Sequence, residues 1–284
     1  MDVSNRILSD ITVYMKYAKY LPELNRRETW EELVTRNKNM HKLLLLMAIS
    51  LSFFAFSAHH EEPSSVSNEP SSSDGGAFTT LMVSAPNVDK YVSYLKADTS
   101  SFKTIGSNAA GVCVTNSGND YPGQMFVWNA FSNVESALGG ATKYDPSKAP
   151  SSLARLRDVK YGVTWKPLKD FRIEPGYERV QRIKLSATNL PAFVEVLTRL
   201  EKAIQDAGHK NFFNGIFVPI GGGVHEAETY MVRSITPDGT QQGAIIDDYF
   251  AGASWGSIYQ EGVALIDAVV SDYIEICEQF YYGE

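Results

Sequence analysis

The feature that most constrains the fold is an order of predicted elements that occurs twice after residue 76. Alternating apolar residues and turn signals predict the strands, and apolar residues at helical spacing predict the helices. The first copy is predicted to contain strands at 78–84, 109–115, 124–131 and 161–165, with helices from Val88 and around Val134. The second copy is predicted to contain strands at 177–185, 212–220 and 229–235, with helices from Leu190 and at 245–250. The first copy therefore reads βαββαβ, and the second follows the same order up to its last strand.

The end of the second copy departs from this pattern. Ile266, Val270, Tyr273 and Cys277 recur at helical spacing, which predicts an extended C-terminal helix. The fourth strand that would complete the second copy is not obvious from the sequence.

Each copy resembles a ferredoxin-like unit, in which helices cover one face of an antiparallel sheet and leave the other open. Two such sheets can bury their open faces against each other within one chain. The chain therefore resembles the dimeric α/β-barrel superfamily in a tandem, single-chain form. The expected class is α+β, with ferredoxin-like repeats at 77–170 and 176–284 packed as one α/β barrel.

An apolar run at 43–56 follows Lys42 and precedes the small residues Ser57 and Ala58. Its length and flanks fit a secretory signal peptide better than a membrane span of about 20 residues. A buried core helix fits less well, because the run lacks a polar stripe. A bacterial lipoprotein would need a cysteine just after the run, and the first cysteine is Cys113. We expect a signal peptide at 40–58, cleaved at Ser57 or Ala58, and a secreted or periplasmic protein.

The segment before this run carries a second resemblance. Residues 9–20, SDITVYMKYAKY, and 26–34, RRETWEELV, are similar to the N-terminal segment of adenosylcobalamin-dependent ribonucleotide reductases. The resemblance covers residues 7–41 only. That family needs a large barrel with a radical-bearing cysteine and a redox pair, and two cysteines are too few. Residues 1–39 are therefore expected to be a reductase fragment or an upstream extension, without reductase activity.

Residues 59–76 are rich in Ser, Pro, Glu and Gly, which predicts a disordered linker. Cleavage after Ser57 would give an N terminus of Ala58, His59 and His60. An amine with histidine in third position can bind Cu(II) or Ni(II) in a square plane. The alternative is an ordinary polar N terminus, which the composition favours; no other metal site is expected.

Charge and cysteine content limit the function classes. Residues 58–284 hold 18 basic and 27 acidic residues, a net charge of −9. Such a domain has no electrostatic footprint for nucleic acid or anionic lipid. Cys113 and Cys277 either form one disulfide in an oxidising compartment or are two buried thiols.

Candidate ligand-binding residues follow from strand alternation. Arg182 shares a strand face with Val180, Arg233 shares one with Met231, and Trp128 shares one with Phe126. Tyr230 lies on the predicted strand 229–235 and is a further candidate. Cationic or aromatic side chains on an inward face would suit an anionic or planar ligand. The alternative is that the arginines face solvent and Trp128 is ordinary core.

Other motifs give no chemistry. His225 with Glu226 and Glu228 could converge, but a metal site usually needs three or more protein ligands, and His225 is interpreted as a hairpin-loop residue. Gly221–Gly223 joins two strands without a phosphate-loop lysine. No nucleophile elbow is present. The superfamily resemblance implies ligand binding between sheet and helices or inside the barrel, cofactor-free oxidation of aromatic substrates, or haem binding, for which His209 and His225 are the domain histidines.

The sequence thus predicts an exported barrel protein without a cofactor that binds a small molecule or an envelope protein. The alternative is a cofactor-independent oxygenase or a haem-linked enzyme on the same scaffold.

Overall fold

The computed structural model describes residues 76–283 and, before them, only 20–21, 26–27 and 32. The chain forms two compact units, Met1–Glu69 and Pro70–Glu284. In the first, Tyr20–Leu21 pairs antiparallel with Arg26–Arg27. The predicted signal peptide, its cleavage site and His59 and His60 lie outside the described residues. Among the residues that are described, no helix is long and apolar enough to cross a membrane.

The second unit contains eight strands and seven α-helices among its described residues. The strands are β1 Ala77–Ser84, β2 Ala109–Ser117, β3 Gln124–Phe131, β4 Asp158–Pro167, β5 Tyr177–Lys184, β6 Phe213–Gly221, β7 Tyr230–Thr236 and β8 Ala268–Tyr282. The helices are α1 Val88–Ala97, α2 Ser100–Ile105, α3 Val134–Ala141, α4 Ser151–Ala154, α5 Leu190–Asp206, α6 Gly239–Phe250 and α7 Gly256–Leu265. Short 3₁₀ turns occur at Pro146–Lys148 and Gly223–His225.

The eight strands form a closed antiparallel barrel in the order β8-β2-β3-β1-β4-β6-β7-β5. Within it, β4-β1-β3-β2 and β8-β5-β7-β6 have the same order, which is the order of a ferredoxin-like sheet. The two sheets are joined by two seams. One seam pairs β2 with β8, and the other pairs Val163–Pro167 of β4 with Phe217–Gly221 of β6.

Alternation along the strands separates the interior of the barrel from the helix-covered outer faces. Phe126, Trp128, Trp165 and Phe217 point into the barrel, where they pack in two adjoining apolar clusters. The outer face of the first sheet packs against α1, α2 and α3, and that of the second packs against α5 and α6, while α7 packs on α5. Closure of the barrel thus buries both open sheet faces, as the two repeats predict.

The predicted C-terminal helix is wrong, because residues 268–282 form the strand β8. This segment is rich in Val, Ile and Tyr, which favour strands, and its pairing with both β5 and β2 closes the barrel. Glu275 and Cys277 occupy inward positions, so a buried carboxylate breaks the apolar alternation that would have indicated a strand. Cys277 accordingly lies on a strand, not on the apolar face of a helix.

Candidate functional site

A cavity of about 500 Å³ lies between the helices of the first repeat and the outer face of its sheet. We call it the helix–sheet cavity. Its volume falls in the range of small-molecule sites, roughly 300–1,000 Å³. Most of its wall is apolar and includes Leu81, Leu95, Phe102, Ile105, Val127 and Leu153.

The lengths of the helices explain why the space is there. In the first repeat, α1 has 10 residues and ends at Asp98, and the six-residue α2 then starts in a new direction. In the second repeat, α5 runs for 17 residues and lays five buried side chains, Phe193, Val196, Leu197, Leu200 and Ile204, along the sheet. Two short helices cover the first sheet less completely than one long helix covers the second.

Arg157 is the one buried cation in the wall of this cavity. It immediately precedes β4 and is 8% exposed. Its Nη1 donates to the hydroxyl of Tyr91 at 2.7 Å, and its Nη2 donates to the hydroxyl of Tyr144. Among residues 76–283, no carboxylate forms an ion pair with Arg157. Its charge is therefore met by two neutral hydroxyls only.

Tyr91, which lies beside Arg157, keeps its proton at neutral pH. Burial raises the pKa of Tyr91, and the nearby Arg157 only partly offsets this. Each hydroxyl that accepts a bond from Arg157 still has a proton to donate. Asn129 adds polarity to the same wall, where its Oδ1 accepts from Ser107 and its amide group remains a donor. The polar part of the cavity thus presents hydrogen-bond donors and the positive charge of buried Arg157, while the exposed carboxylate of Asp98, which accepts from the backbone N–H of Ser100, also lines it.

A second polar group lies inside the barrel, and we call it the barrel cluster: Cys113, Glu178, Arg233, Glu275 and Cys277. Arg233 donates to Glu178 at 2.6 Å and to Glu275 at 3.0 Å. The two cysteines, whose state the sequence left open, form a disulfide. Burial raises the pKa of Glu178, although the charge of Arg233 opposes the shift.

The other inward arginine is paired as well. Arg182 donates to Glu226 at 2.8 and 3.0 Å, and Tyr161 donates to the same carboxylate at 2.8 Å. The guanidinium also lies 4.9 Å from the ring centroid of Trp165. Counting both groups, the interior holds two arginines and three glutamates. It has no surplus positive charge for an anionic ligand.

Three of the four predicted ligand-binding residues lie inside the barrel, and the fourth lies on the opposite face of the sheet. Trp128, Arg182 and Arg233 lie inside the barrel, and neither arginine faces solvent. Trp128 and Arg233 line a barrel cavity of about 60 Å³, room for about two water molecules. Tyr230 points to the opposite face, where it packs against the core beneath α5. None of the four lines the helix–sheet cavity.

Among the described residues, the helix–sheet cavity offers no free side chain of the kind that holds haem in other proteins. Haem iron is held by His, Cys, Met or Tyr side chains. The only described histidines are remote from the helix–sheet cavity: His225 stacks on Tyr161, and His209 contacts Asp248 at 2.8 Å. Both cysteines are in the disulfide. Two tyrosines line the cavity: the hydroxyl of Tyr144 is engaged by Arg157, and that of Tyr94 is hydrogen-bonded with Ser152.

Arg157 was not among the predicted ligand residues, because those were chosen by the alternation of side chains within predicted strands. Arg157 precedes its strand, so alternation assigns it no face. The only available signal was an arginine just after the apolar residues of Leu153–Leu156 and just before Val159 and the strand predicted at 161–165.

Comparisons with known proteins give a fold and no family. No protein-family model and no curated protein match the chain. A solved structure described as "putative monooxygenase from Lactobacillus acidophilus NCFM" aligns with a TM-score of 0.51 at 7% identity, over 74% of this chain and 97% of that one. The chain has the dimeric α/β-barrel fold.

Two further solved structures give lower scores, on which we base no argument. A "putative monooxygenase" from Fusobacterium nucleatum aligns with a TM-score of 0.45 at 11% identity, over 74% of this chain and 96% of that one. A chlorite dismutase from Candidatus Nitrospira defluvii aligns with a TM-score of 0.45 at 8% identity, over 72% and 91%. The resemblance of residues 7–41 to ribonucleotide reductases gains no support from any curated protein or family model.

Proposed function

We propose that the protein binds a small, largely apolar organic anion in the helix–sheet cavity. The observation that carries this proposal is the buried guanidinium of Arg157, which has no carboxylate partner among the described residues and opens onto an apolar cavity of about 500 Å³. Trp128, Arg182 and Arg233 remain predicted ligand residues of the barrel interior, and Tyr230 remains a predicted ligand residue on the opposite face of the sheet.

The energetics favour a ligand with a charged oxygen. Burying an unpaired charge costs several kcal/mol in an apolar environment, and neutral hydroxyls recover only part of it. An anionic oxygen held by Arg157 would recover the rest, with Tyr91 and Tyr144 as additional donors. A hydrogen bond to a charged group contributes about 1.5–3 kcal/mol, which corresponds to a preference of about 10- to 100-fold over a neutral ligand.

Two fluorescent probes test this preference. Anilinonaphthalene sulfonate is anionic, and N-phenylnaphthylamine has a similar aromatic body without the charge. We expect the wild-type protein to bind the anionic probe more tightly, and Arg157→Gln to bring the two affinities within about threefold. Arg155→Gln, an exposed arginine two residues away, is the matched control and should keep the preference. Equal affinities in the wild type, or an unchanged preference in Arg157→Gln, would refute the proposal.

A second candidate function is cofactor-independent oxygenation of such a ligand. The name of the Lactobacillus acidophilus structure suggests the reaction class, and the arrangement of Arg157 between two tyrosines suits an enolate oxygen. In this reaction a doubly activated methylene and O₂ give a carbonyl and water. One oxygen atom enters the substrate, and the other leaves as water with the two methylene hydrogens. Donors fixed at the enolate oxygen stabilise the charge that develops there.

Oxygen uptake with anthrone, whose methylene lies between two aromatic rings, tests the second candidate. We expect one O₂ consumed per anthrone converted and no hydrogen peroxide. Arg157→Gln should lower kcat/KM by about 100-fold or more, as loss of an oxyanion donor does elsewhere. If Arg157→Gln keeps the wild-type kcat/KM, Arg157 has no part in the reaction. If the wild-type protein shows no turnover, the second candidate function is refuted and only ligand binding is supported.

We also propose that the protein acts outside the cytoplasm, in the secreted or periplasmic fraction, and has a small molecule or an envelope protein as its partner. The disulfide supports this, because disulfides persist mainly in oxidising compartments. N-terminal sequencing of the exported protein should give Ala58 or His59 as the first residue. A protein retained in the cytoplasm with residues 40–57 intact would contradict export.

A further inference from the structure

Three side chains that are all metal ligands in other proteins converge inside the barrel. Cys113 on β2 lies directly opposite Cys277 on β8, and Glu275 precedes Cys277 by two positions, so all three point inward. Their ligand atoms lie within 4.8 Å of one another, and all three residues are buried. The closed barrel thus places two sulfurs and one carboxylate around a single point.

This point already holds a positive charge. Nη2 of Arg233 lies 3.0 Å from the carboxylate of Glu275, 3.6 Å from Sγ of Cys113 and 3.4 Å from Sγ of Cys277. The same guanidinium is held at its other end by Glu178, 2.6 Å from Nε. Nη2 can therefore move aside while Arg233 keeps its stronger anchor.

A fourth coordination position is also available. The barrel cavity of about 60 Å³ is lined by both cysteines and Arg233, and it has room for about two water molecules. Zinc sites with three protein ligands complete their tetrahedron with a water in such an opening.

We propose that reduction of the disulfide between Cys113 and Cys277 turns the barrel cluster into a zinc-type metal site. A dithiol reductant transfers two electrons, the S–S bond breaks, and the two sulfurs take up two protons while the reductant becomes a disulfide. The metal then binds both sulfurs and Glu275, and the two protons leave. Two thiolates and one carboxylate favour Zn²⁺ over harder cations such as Mg²⁺ or Ca²⁺.

The charge balance supports a divalent ion. Two thiolates, Glu178 and Glu275 against Arg233 alone leave three uncompensated negative charges, and a divalent cation reduces these to one. The metal would also replace the disulfide as a link between the same two strands, so that the seam between β2 and β8 stays connected in either state.

Cobalt absorption tests the proposal in the full-length protein. After reduction with a phosphine under anaerobic conditions and removal of the reductant, Co²⁺ should give a sulfur-to-cobalt charge-transfer band at one equivalent, which Zn²⁺ then abolishes. The oxidised protein should give no such band. Binding at histidines elsewhere in the chain does not produce it, so the band reports on the cysteines alone.

Single substitutions test the contribution of each proposed metal ligand. Glu275→Gln should weaken Co²⁺ binding by at least about 10- to 100-fold, the cost of removing even an outer partner of a metal. Glu278→Gln, on the same strand but on its exposed side, is the matched control and should bind as wild type does. Cys113→Ser should abolish the two-sulfur band. Circular dichroism and a thiol count confirm that the reduced wild-type protein is folded and has two thiols.

Reduced, folded wild-type protein that shows no sulfur-to-cobalt band would overturn the proposal. So would a disulfide that phosphines reduce only when the protein unfolds, or a band that Glu275→Gln leaves at full affinity.

Discussion

At the scale of single residues, the barrel interior depends on carboxylates that compensate buried arginines. Glu226 is the clearest case, because it is 1% exposed and accepts from both Arg182 and Tyr161. Replacing one partner of a buried pair leaves the other charge in an apolar environment, which costs more than the pair itself contributes.

Glu226→Gln should therefore lower the free energy of unfolding by about 3–5 kcal/mol, measured by denaturant unfolding at neutral pH. Glu228→Gln provides the control two positions away. Glu228 is 82% exposed at its side chain and pairs with Lys184 on the surface, so its substitution should change stability by less than about 0.5 kcal/mol. Equal losses of unfolding free energy for the two substitutions would show that the buried pair contributes no more to stability than the surface pair.

The candidate site was only partly predictable at this scale. Alternation correctly placed Arg182 and Arg233 on the same faces as Val180 and Met231. It could not show that Glu226, from a loop, and Glu178 would neutralise them, because those contacts join residues 44 and 55 positions apart. Arg157 was not predicted for a different reason. Its partners are tyrosines, which carry no charge that a sequence pattern would pair with an arginine.

At the scale of elements, one glycine decides how closely two strands and a tryptophan pack. Gly111 on β2 lies opposite Trp128 in the register. A Cβ at this position would lie 2.7 Å from the Trp128 ring and closer still to the backbone carbonyl of Glu278 on β8. A backbone carbonyl cannot move aside as the end of a flexible side chain can, so β2 and β8 would have to separate.

Gly111→Ala should therefore destabilise the protein by about 1–3 kcal/mol or more, the usual cost of overpacking a core, as measured by thermal unfolding. The control is Gly139→Ala in α3, where an added Cβ meets no atom within 4 Å. Alanine is the better helix former by about 1 kcal/mol, so Gly139→Ala should stabilise. A neutral Gly111→Ala would mean that β2 and β8 are less tightly paired than the register indicates.

The elements also show why the sequence predicted seven strands and missed the eighth. The seven have turn residues at their ends and, apart from β5 and β7, largely apolar inward faces. The inward face of β8 carries Glu275 and Cys277, which only the neighbouring Arg233 makes tolerable. The exposed outer side of β8 keeps Val269 and Ile276, so the polarity of the two faces is close to inverted. The apolar residues of this segment therefore do not alternate as in a strand with one buried face, and Ile266, Val270, Tyr273 and Cys277 fit helical spacing instead.

At the scale of the whole molecule, the two seams are not equivalent. The seam of β4 and β6 depends on five residue pairs, whereas that of β2 and β8 has eight pairs, two register shifts and the disulfide. The disulfide closes a loop with a sequence separation of 164. A loop of this length limits the unfolded chain strongly, and its cross-link is expected to contribute up to about 5 kcal/mol.

The double variant Cys113→Ser, Cys277→Ser should accordingly be less stable than the oxidised wild type by about 2–5 kcal/mol in guanidinium unfolding. Adding a reductant should bring the wild type close to the variant and leave the variant unchanged. A variant as stable as the oxidised wild type would show that packing and strand pairing alone hold this seam.

Hydrogen exchange distinguishes two origins of this stabilisation. If the disulfide acts only on the unfolded chain, reduction should lower the protection of all globally exchanging amides by the same factor. If it also holds the seam, amides of β2 and β8 should lose more protection than those of β4, which lies on the opposite side of the closed barrel from β8. We expect the second result, because the register shifts at 274–275 and 279–281 interrupt the ladder on either side of Cys277 and leave the cross-link as the firmest contact there. A uniform loss across β2, β4 and β8 would assign the whole effect to the unfolded state.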